Sequence, residues 1–553
     1  MFRTKLFTAF FIFSFIFSIS IACRDRTGSG KPFTIALDGK FSTLDPIGST
    51  TVTANDERLR TLLFNSLVKK NDQFEYVGEL AKEINTSDDG STITFILQDN
   101  VKFHDGKTLT SKDVKYTFDK LFASNGAKAS AFFDSVEVPA QTANNSNTNS
   151  NQNSAPPTEK KPHILSVETP DDKTVNIKLA RPALKNQLLS NLVPVAIVPE
   201  GSEVGTQASS TKPPIGTGPY KFITFDSVQN IVEVEKFNDY FEGAPNIDKI
   251  QIKALPDANA LQAELKSQIV DLAPGVVNLA PDTFQSLKQD ANLKVEQFNG
   301  SNIQYIGFNT EQAPVNNVKV RQAIAYAINR EKIINDLLLG QATIAHSILP
   351  EESWAFYAGT KYDYNPAKAK QLLDEAGFKD TNGDGIREMP KISFKVSSGN
   401  QAVSQYTQLI VSQLTEVGLP VEIDSLEFQT MLSQLQKGQY QMTTGRWVGG
   451  NQDPIFLKDL FASSEIPNEK RASRNRSRYS NQKVDEFLNL AINETDREKA
   501  KQFYVQAQEI ISNEVPMIPL WYPANMVVAN QRVENIKMNA SGDWGFVRNL
   551  TLK

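Results

Sequence analysis

The chain has 553 residues, 40% of them hydrophobic and 22% charged, with a formal net charge of −5. That length allows two or more domains with their own cores, and the mildly acidic balance argues against nucleic acid as the main partner. One cysteine and three widely spaced histidines (His104, His163, His346) exclude internal disulfides and leave no Cys or His pair for zinc.

Arg3 and Lys5 precede a Phe/Ile-rich run from Leu6 to Ile21, which ends at Ala22-Cys23. A positive start, a short apolar stretch and a small residue before the cut make a secretory signal. The run falls short of the ~20 apolar residues that span a bilayer, so it does not read as a retained membrane helix. With Cys23 the only cysteine, the segment resembles a bacterial lipoprotein signal: 1–22 is removed and Cys23 carries the lipid. Ser20 stands where that pattern usually has Leu, and a plain secretory signal remains the alternative. Residues 23–31 read as a polar tether, and no spanning helix is needed to hold a lipid-anchored protein at a membrane.

Folding is expected to begin at Phe33-Thr34-Ile35-Ala36-Leu37, which alternates like a strand. The segment 139–162, PAQTANNSNTNSNQNSAPPTEKKP, has almost nothing to bury and reads as a disordered insertion in a surface loop. Strand-like sequence flanks it at 135–138, 164–168 and 174–179. From Val320 the residues Ile324, Ala327, Ile328, Ile334, Leu337 and Leu338 form one apolar helical stripe. Asn365 caps a helix with Pro366 at its first position and Gly377 as its stop. Strand patterns at 391–396 and 421–426 bracket a helix at about 404–417, a β-α-β order that makes a right-handed parallel crossover. Asp496 caps a last long helix that stops before Pro516.

Catalytic patterns are missing. Gly106-Lys107-Thr108 looks like the end of a phosphate loop, but Val101 holds the place of its first glycine, and no Gly-x-Ser-x-Gly elbow occurs. Asp380-Thr381-Asn382-Gly383-Asp384-Gly385 starts like a calcium loop, yet Lys391 occupies the twelfth position, so an Asx-rich turn is expected. Lys470, Arg471, Arg474, Arg476 and Arg478 form a basic cluster, read as a solvated loop or as a contact for anionic lipid headgroups. The chain reads as a binding protein, not an enzyme, with no cofactor.

Seven motifs in order carry a resemblance. They are Leu44-Asp45-Pro46; Leu80 to Glu83 with Thr92 to Leu97 and Val101-Lys102-Phe103-His104-Asp105-Gly106; Gly216-Thr217-Gly218-Pro219-Tyr220; Val320 to Arg330; Tyr364-Asn365-Pro366 through Gly377; Trp447 with Asp453-Pro454; and Glu514 to Leu520. In this order they resemble the peptide/nickel-class (family 5) solute-binding proteins of ABC importers, from about Phe33 to the C-terminus. Gln98 stands where that family usually has Lys or Arg.

The resemblance implies an α/β, two-lobed, type II periplasmic-binding-protein-like fold with an extra subdomain in the first lobe. The expected division is lobe I at 32–300, lobe II at 301–519 and a return to lobe I at 520–553. It implies a monomeric receptor on the outer face of the cell envelope that captures a peptide or similar small solute for ABC permease subunits. A non-peptide solute binder and a sensor or adhesion lipoprotein on the same fold are the alternatives.

In peptide-binding relatives a second-lobe Trp precedes backbone that pairs with the peptide, and Trp447 matches it. Arg446 and Val448 would then offer backbone groups. Thr50, Thr51 and Val52 stand where the first lobe would add its edge. Those relatives also place an Asp three residues after the Trp, against the peptide's ammonium. Gly450 is there instead, and Asp453 is either its substitute or the cap of the helix after Pro454.

Overall fold

The computed structural model describes residues 31–553 except 42, 51, 125, 138–157, 204–212 and 469–471. The leader with Cys23, the body of the polar insertion, Thr51, Lys470 and Arg471 therefore lie outside the described residues.

Two sheets organise the molecule. The first has seven strands in the order Tyr220–Asp226, Ile231–Lys236, Lys249–Ala254, Phe33–Leu37, Leu272–Pro274, Asn525–Asn530 and Leu293–Phe298. The second has six: Ala342–Ile344, Met517–Pro523, Ile303–Phe308, Met442–Trp447, Ile392–Ser397 and Val421–Leu426. Phe33–Leu37 is buried at every position and lies mid-sheet between two parallel neighbours. The alternation at Thr34 marks no solvent face: the strand is buried on both sides, Thr34 included, and the Thr34 N–H donates to Asp271 at 3.0 Å.

Each sheet has its own core. Ile35, Phe95, Phe118, Val527 and Trp544 belong to the first lobe's largest core. Ile306, Phe308, Ile324, Phe394 and Leu520 pack on one face of the second sheet, and Ile303, Tyr305, Phe456 and Tyr522 on the other. The first lobe also carries a four-stranded antiparallel sheet, Ala81–Thr86, Thr92–Leu97, Thr174–Leu179 and Ile164–Glu168, covered by the helix Ser111–Ala123. The structure corrects the far end of the insertion: Thr158–Pro162 is a strand paired with Phe133–Glu137, so 158–162 is not free chain.

The chain passes between the sheets twice. Leu293–Phe298 ends in the first sheet and Ile303–Phe308 starts in the second. Met517–Pro523 belongs wholly to the second sheet and Asn525–Asn530 to the first, so the return falls at Ala524 and not at 520. The two passages touch: a Cβ at Gly300 would collide with the Pro523 carbonyl, and the Asn525 amide reaches the Asn299 carbonyl at 3.0 Å.

Local rules account for most helices. Asn365 accepts from the Lys368 N–H at 2.9 Å, and Asp496 caps the helix Arg497–Glu514. Ile392–Ser397 and Val421–Leu426 pair in parallel around the helix Gln401–Glu416. The Asx-rich turn is present, with Asp380 accepting from Gly383 and Gly385.

The single stripe expected from Val320 is broken. Val318–Ala327 and Arg330–Asp336 are separate helices, because the Asn329 side chain caps the second by accepting from Lys332 at 2.8 Å. The break aims two buried arginines at backbone. Arg321 donates to the carbonyls of Val315, Asn316, Glu514 and Val515; Arg330 donates to those of Ala345, Tyr362 and Pro519. Burial pushes both guanidinium groups down to about 10, still charged near neutrality.

The early motifs meet at His104. Its Nδ1 accepts from the Gly216 N–H at 3.3 Å and its Nε2 donates to the Gly218 carbonyl at 3.0 Å, a neutral imidazole bridging two motifs. A Cβ at Gly216 or Gly218 would strike the Leu63 carbonyl group, so these glycines serve close backbone approach. Burial lowers the His104 imidazole from 6.5 to about 4. The unfolded chain therefore takes up the proton first, and the His104 contribution is complete above pH 6.5 and lost as pH falls toward 4. Denaturation at stepped pH should show a slope approaching ~1.4 kcal/mol per unit in that window, flattened in His104→Gln. An unchanged slope in the variant would remove His104 from the account.

Candidate solute-binding site

Strand direction defines the site. Phe33–Leu37, Lys249–Ala254 and Leu272–Pro274 are parallel, and Leu293–Phe298 runs the same way through the antiparallel Asn525–Asn530. In the second sheet Ile392–Ser397, Val421–Leu426 and Met442–Trp447 are parallel. The chain leaves the first sheet at Phe298, a carboxyl end, and enters the second at Ile303, which lies opposite Trp447, also a carboxyl end. The carboxyl ends of both parallel sets thus meet at the junction between lobes. Open α/β sheets bind ligands at that end.

Exposed apolar side chains follow several of these strand ends. Val448 is 60% exposed just past Trp447, Phe428 is 51% exposed just past Val421–Leu426, and Val277 is 67% exposed just past Leu272–Pro274. Phe428 and Val277 escaped the sequence reading. Their signal is an apolar residue directly after a strand, visible only once strand direction is known.

Trp447 is half-buried. It stacks on Tyr305 with centroids 5.7 Å apart and planes 10° apart, and meets Phe456 edge-on at 5.4 Å. Gly445 permits the stack, because a Cβ there would lie 2.7 Å from the Tyr305 hydroxyl. The Arg476 guanidinium sits 5.1 Å from the Trp447 ring centroid. The strand under Trp447 has an open side. Ile392–Ser397 pairs with it only at Met442 and Thr443, leaving Thr444 to Trp447 without a strand partner on that edge among the described residues. Arg446 is exposed, with no hydrogen bond or ion pair from its side chain among the described residues.

Gly450 carries more than a missing acid. A Cβ at 450 would lie 2.8 Å from Phe456 Cε2, so the ring fills the space an Asp side chain needs. Asp453 is buried and engaged on both oxygens: Oδ1 accepts from the Ile455 N–H at 2.9 Å, and Oδ2 accepts from the Tyr76 hydroxyl. Burial, then Asp453, push the Tyr76 hydroxyl well above its usual range, so it stays a donor. Lys70 Nζ donates to Gln452 Oε1 at 3.2 Å, and burial lowers it while Asp453 opposes the shift.

Lys70 and Tyr76 belong to the first lobe and Gln452 and Asp453 to the second, so these contacts latch the lobes, beside the Glu75–Arg497 ion pair. A cavity of about 230 Å³ lies against the latch, walled by Tyr76, Trp354, Asp453, Arg497 and Tyr504. It is smaller than the roughly 300–1,000 Å³ of whole-ligand pockets, and suits part of a solute.

Not every expected residue joins the site. Val52 lines a separate first-lobe cavity with Leu44, Glu57 and Lys128. Thr50 is exposed, and no described contact ties it to Trp447. The described arginines of the basic cluster each have a partner, although Arg474 remains exposed. Arg474 pairs with Asp459 over Phe456, Arg478 pairs with Glu311, and Arg476 covers Trp447. The described residues contain no group of His, Cys, Asp or Glu able to hold a metal, and no helix long and apolar enough to cross a membrane.

Residues 75–468 match the model for bacterial extracellular solute-binding proteins, family 5 (middle region). The chain belongs to this family. Among family 5 relatives, heme-binding protein A of Haemophilus influenzae is 29% identical over 502 residues, covering 87% of this chain and 85% of the relative. Oligopeptide-binding protein AppA of Bacillus subtilis is 27% identical, covering 94% and 92%. The solved structure of AppA with a nonapeptide superposes with a TM-score of 0.66 at 25% identity, covering 94% and 98%. The Listeria monocytogenes substrate-binding protein CtaP superposes at 0.76 with 23% identity, covering 95% and 100%, a likeness of fold.

Family 5 membership makes this chain a solute-binding receptor with a two-lobed α/β fold. Gly450→Asp should force Phe456 from its place and lower stability by about 1–3 kcal/mol in urea unfolding. A variant as stable as the parent would mean that Phe456 moves aside freely.

Proposed function

We propose that this receptor captures a peptide or a similar small solute between its lobes and delivers it, as a monomer, to an ABC import permease. The observation that carries the reading is the open edge of Met442–Trp447 at the lobe junction, with exposed Val448 just past it. A peptide added to that edge gains main-chain hydrogen bonds whatever its side chains, which suits an importer of mixed sequences. Trp447, with Arg446 and Val448 beside it, is the proposed contact, and 32–300, 301–523 and 524–553 are the proposed divisions. An oligopeptide-binding relative at 27% identity supports the peptide class. Gly450, filled by Phe456, and a heme-binding relative at 29% identity favour a second reading, a non-peptide solute in the same place.

Calorimetry with one peptide in free and N-acetylated form tests this. With Gly450 blocked and Asp453 engaged, the two forms should bind alike, and Trp447→Ala should weaken both by roughly 1–3 kcal/mol. A large preference for the free amine would require an acid at the site. Failure of both forms to bind would sink the peptide reading and favour the second.

Cys23 is proposed to carry a lipid that holds the receptor at the membrane. Cys23→Ser should abolish both maturation by lipoprotein processing and membrane retention. A variant that matures and fractionates like the parent would refute the anchor.

A further inference from the structure

We propose that the solute carries an anionic group, received by Arg446 and Arg476 at the end of the Met442–Trp447 strand. This rests on the reading of that strand edge as the capture site. Successive strand residues point to opposite faces. Arg446 therefore stands on one face, the Tyr406 side, while Trp447 and the Arg476 covering it stand on the other. Two cations bracket one strand end.

Neither has an acid. No ion pair joins Arg446 or Arg476 among the described residues, and the Arg476 Nε is buried without a hydrogen-bond partner. Tyr305, Tyr440 and Trp447 surround Arg476: its guanidinium faces the Tyr305 hydroxyl, and the Tyr440 hydroxyl donates to its carbonyl oxygen at 2.7 Å. The acids at the carboxyl ends of both sheets are occupied. Asp38 pairs with Arg58 and accepts from the Val277 N–H; Asp424 pairs with Lys395; Glu427 accepts from the Thr430 N–H; and Asp453 is held by Tyr76 and Ile455. The position where a carboxylate would greet an ammonium is filled by the Phe456 ring.

Two cations flanking an open strand end, with the acids named above already engaged, are matched by a carboxylate or another anion on the solute. Alternate residues of an edge-bound peptide point to alternate faces, so an acidic side chain on one face and a terminal carboxylate on the other could both be met. Arginine suits this role because its planar fork grips a carboxylate through two N–H groups.

The test uses the purified full-length protein and two N-acetylated pentapeptides of one backbone. The first, N-acetyl-Ala-Ala-Glu-Ala-Ala, has a free carboxyl terminus. The second replaces Glu with Gln and ends in an amide, so it carries no charge. The anionic peptide should bind at least about tenfold more tightly, with the margin shrinking as salt rises. Arg446→Gln, at an exposed position, should remove much of the margin with the melting temperature unchanged. Arg476→Lys, which keeps the charge but loses the fork, should remove part of it.

Equal binding of the two peptides, or a margin that survives Arg446→Gln combined with Arg476→Gln in a folded variant, overturns the proposal and leaves the receptor reading intact. If neither peptide binds, the peptide reading fails. The charge of the solute released from purified protein then decides the proposal: an anion supports it, and a neutral or cationic solute overturns it.

Discussion

The molecule depends on its double passage between sheets. Gly300 lies against the Pro523 carbonyl and Asn525 reaches back to Asn299, so the two strands of the junction are fixed to each other. Because each passage leaves or enters at a carboxyl end of a parallel set, both sheets present the same kind of edge to the space between them. The turn after Trp447 is tied to the passage itself. Asn451 donates to the Ser301 carbonyl at 2.6 Å, Gln452 to the Ser301 hydroxyl at 3.0 Å, and the Gly449 N–H to Asn302 at 3.2 Å. A change in lobe angle is therefore felt at the solute-facing strand end, since one backbone segment serves both.

Large buried charges tie helix and strand ends of the second lobe together behind that edge. Arg321 and Arg330 end on backbone carbonyls, not carboxylates, and so satisfy helix ends and strand ends that would otherwise be orphaned. Removing either would leave several buried acceptors unpaired, each costing about 1–3 kcal/mol, while an apolar replacement could not reach them. This is why a polar residue occupies what otherwise reads as the face of an apolar helix.

The local features of this chain were legible because their causes are local. Asn365, Asp496 and the parallel pair around Gln401–Glu416 follow from caps and periodicity within a few residues. The helix break at Asn329 was missed because Ile328 and Ile334 continue the apolar period across it, and only the side-chain cap reveals the stop. At the site, Trp447 and Gly450 stood out in the sequence, but what surrounds them did not. Phe456 in the space beside Gly450, Arg476 over Trp447 and Tyr76 on Asp453, 377 residues away, are tertiary facts with no periodic trace. The partners of the basic cluster were hidden for the same reason: charge density in sequence says nothing of which acid or ring each arginine meets. Thr50 and Val52 were placed by spacing after Asp45-Pro46, and the fold sends Val52 to another cavity.

The latch between lobes is polar, and that choice has a consequence for capture. Tyr76–Asp453, Lys70–Gln452 and Glu75–Arg497 all join groups that water can satisfy when the lobes part. Each of the first two involves a charged group, a kind of hydrogen bond that contributes about 1.5–3 kcal/mol net. The exposed Arg497 pair contributes about 0–1 kcal/mol. Moving a two-state closure from 1:99 to 99:1 takes about 5.5 kcal/mol. The latch is therefore of the same order as the switch, and contacts made by a solute at the strand edge and the exposed apolar residues decide the balance between open and closed.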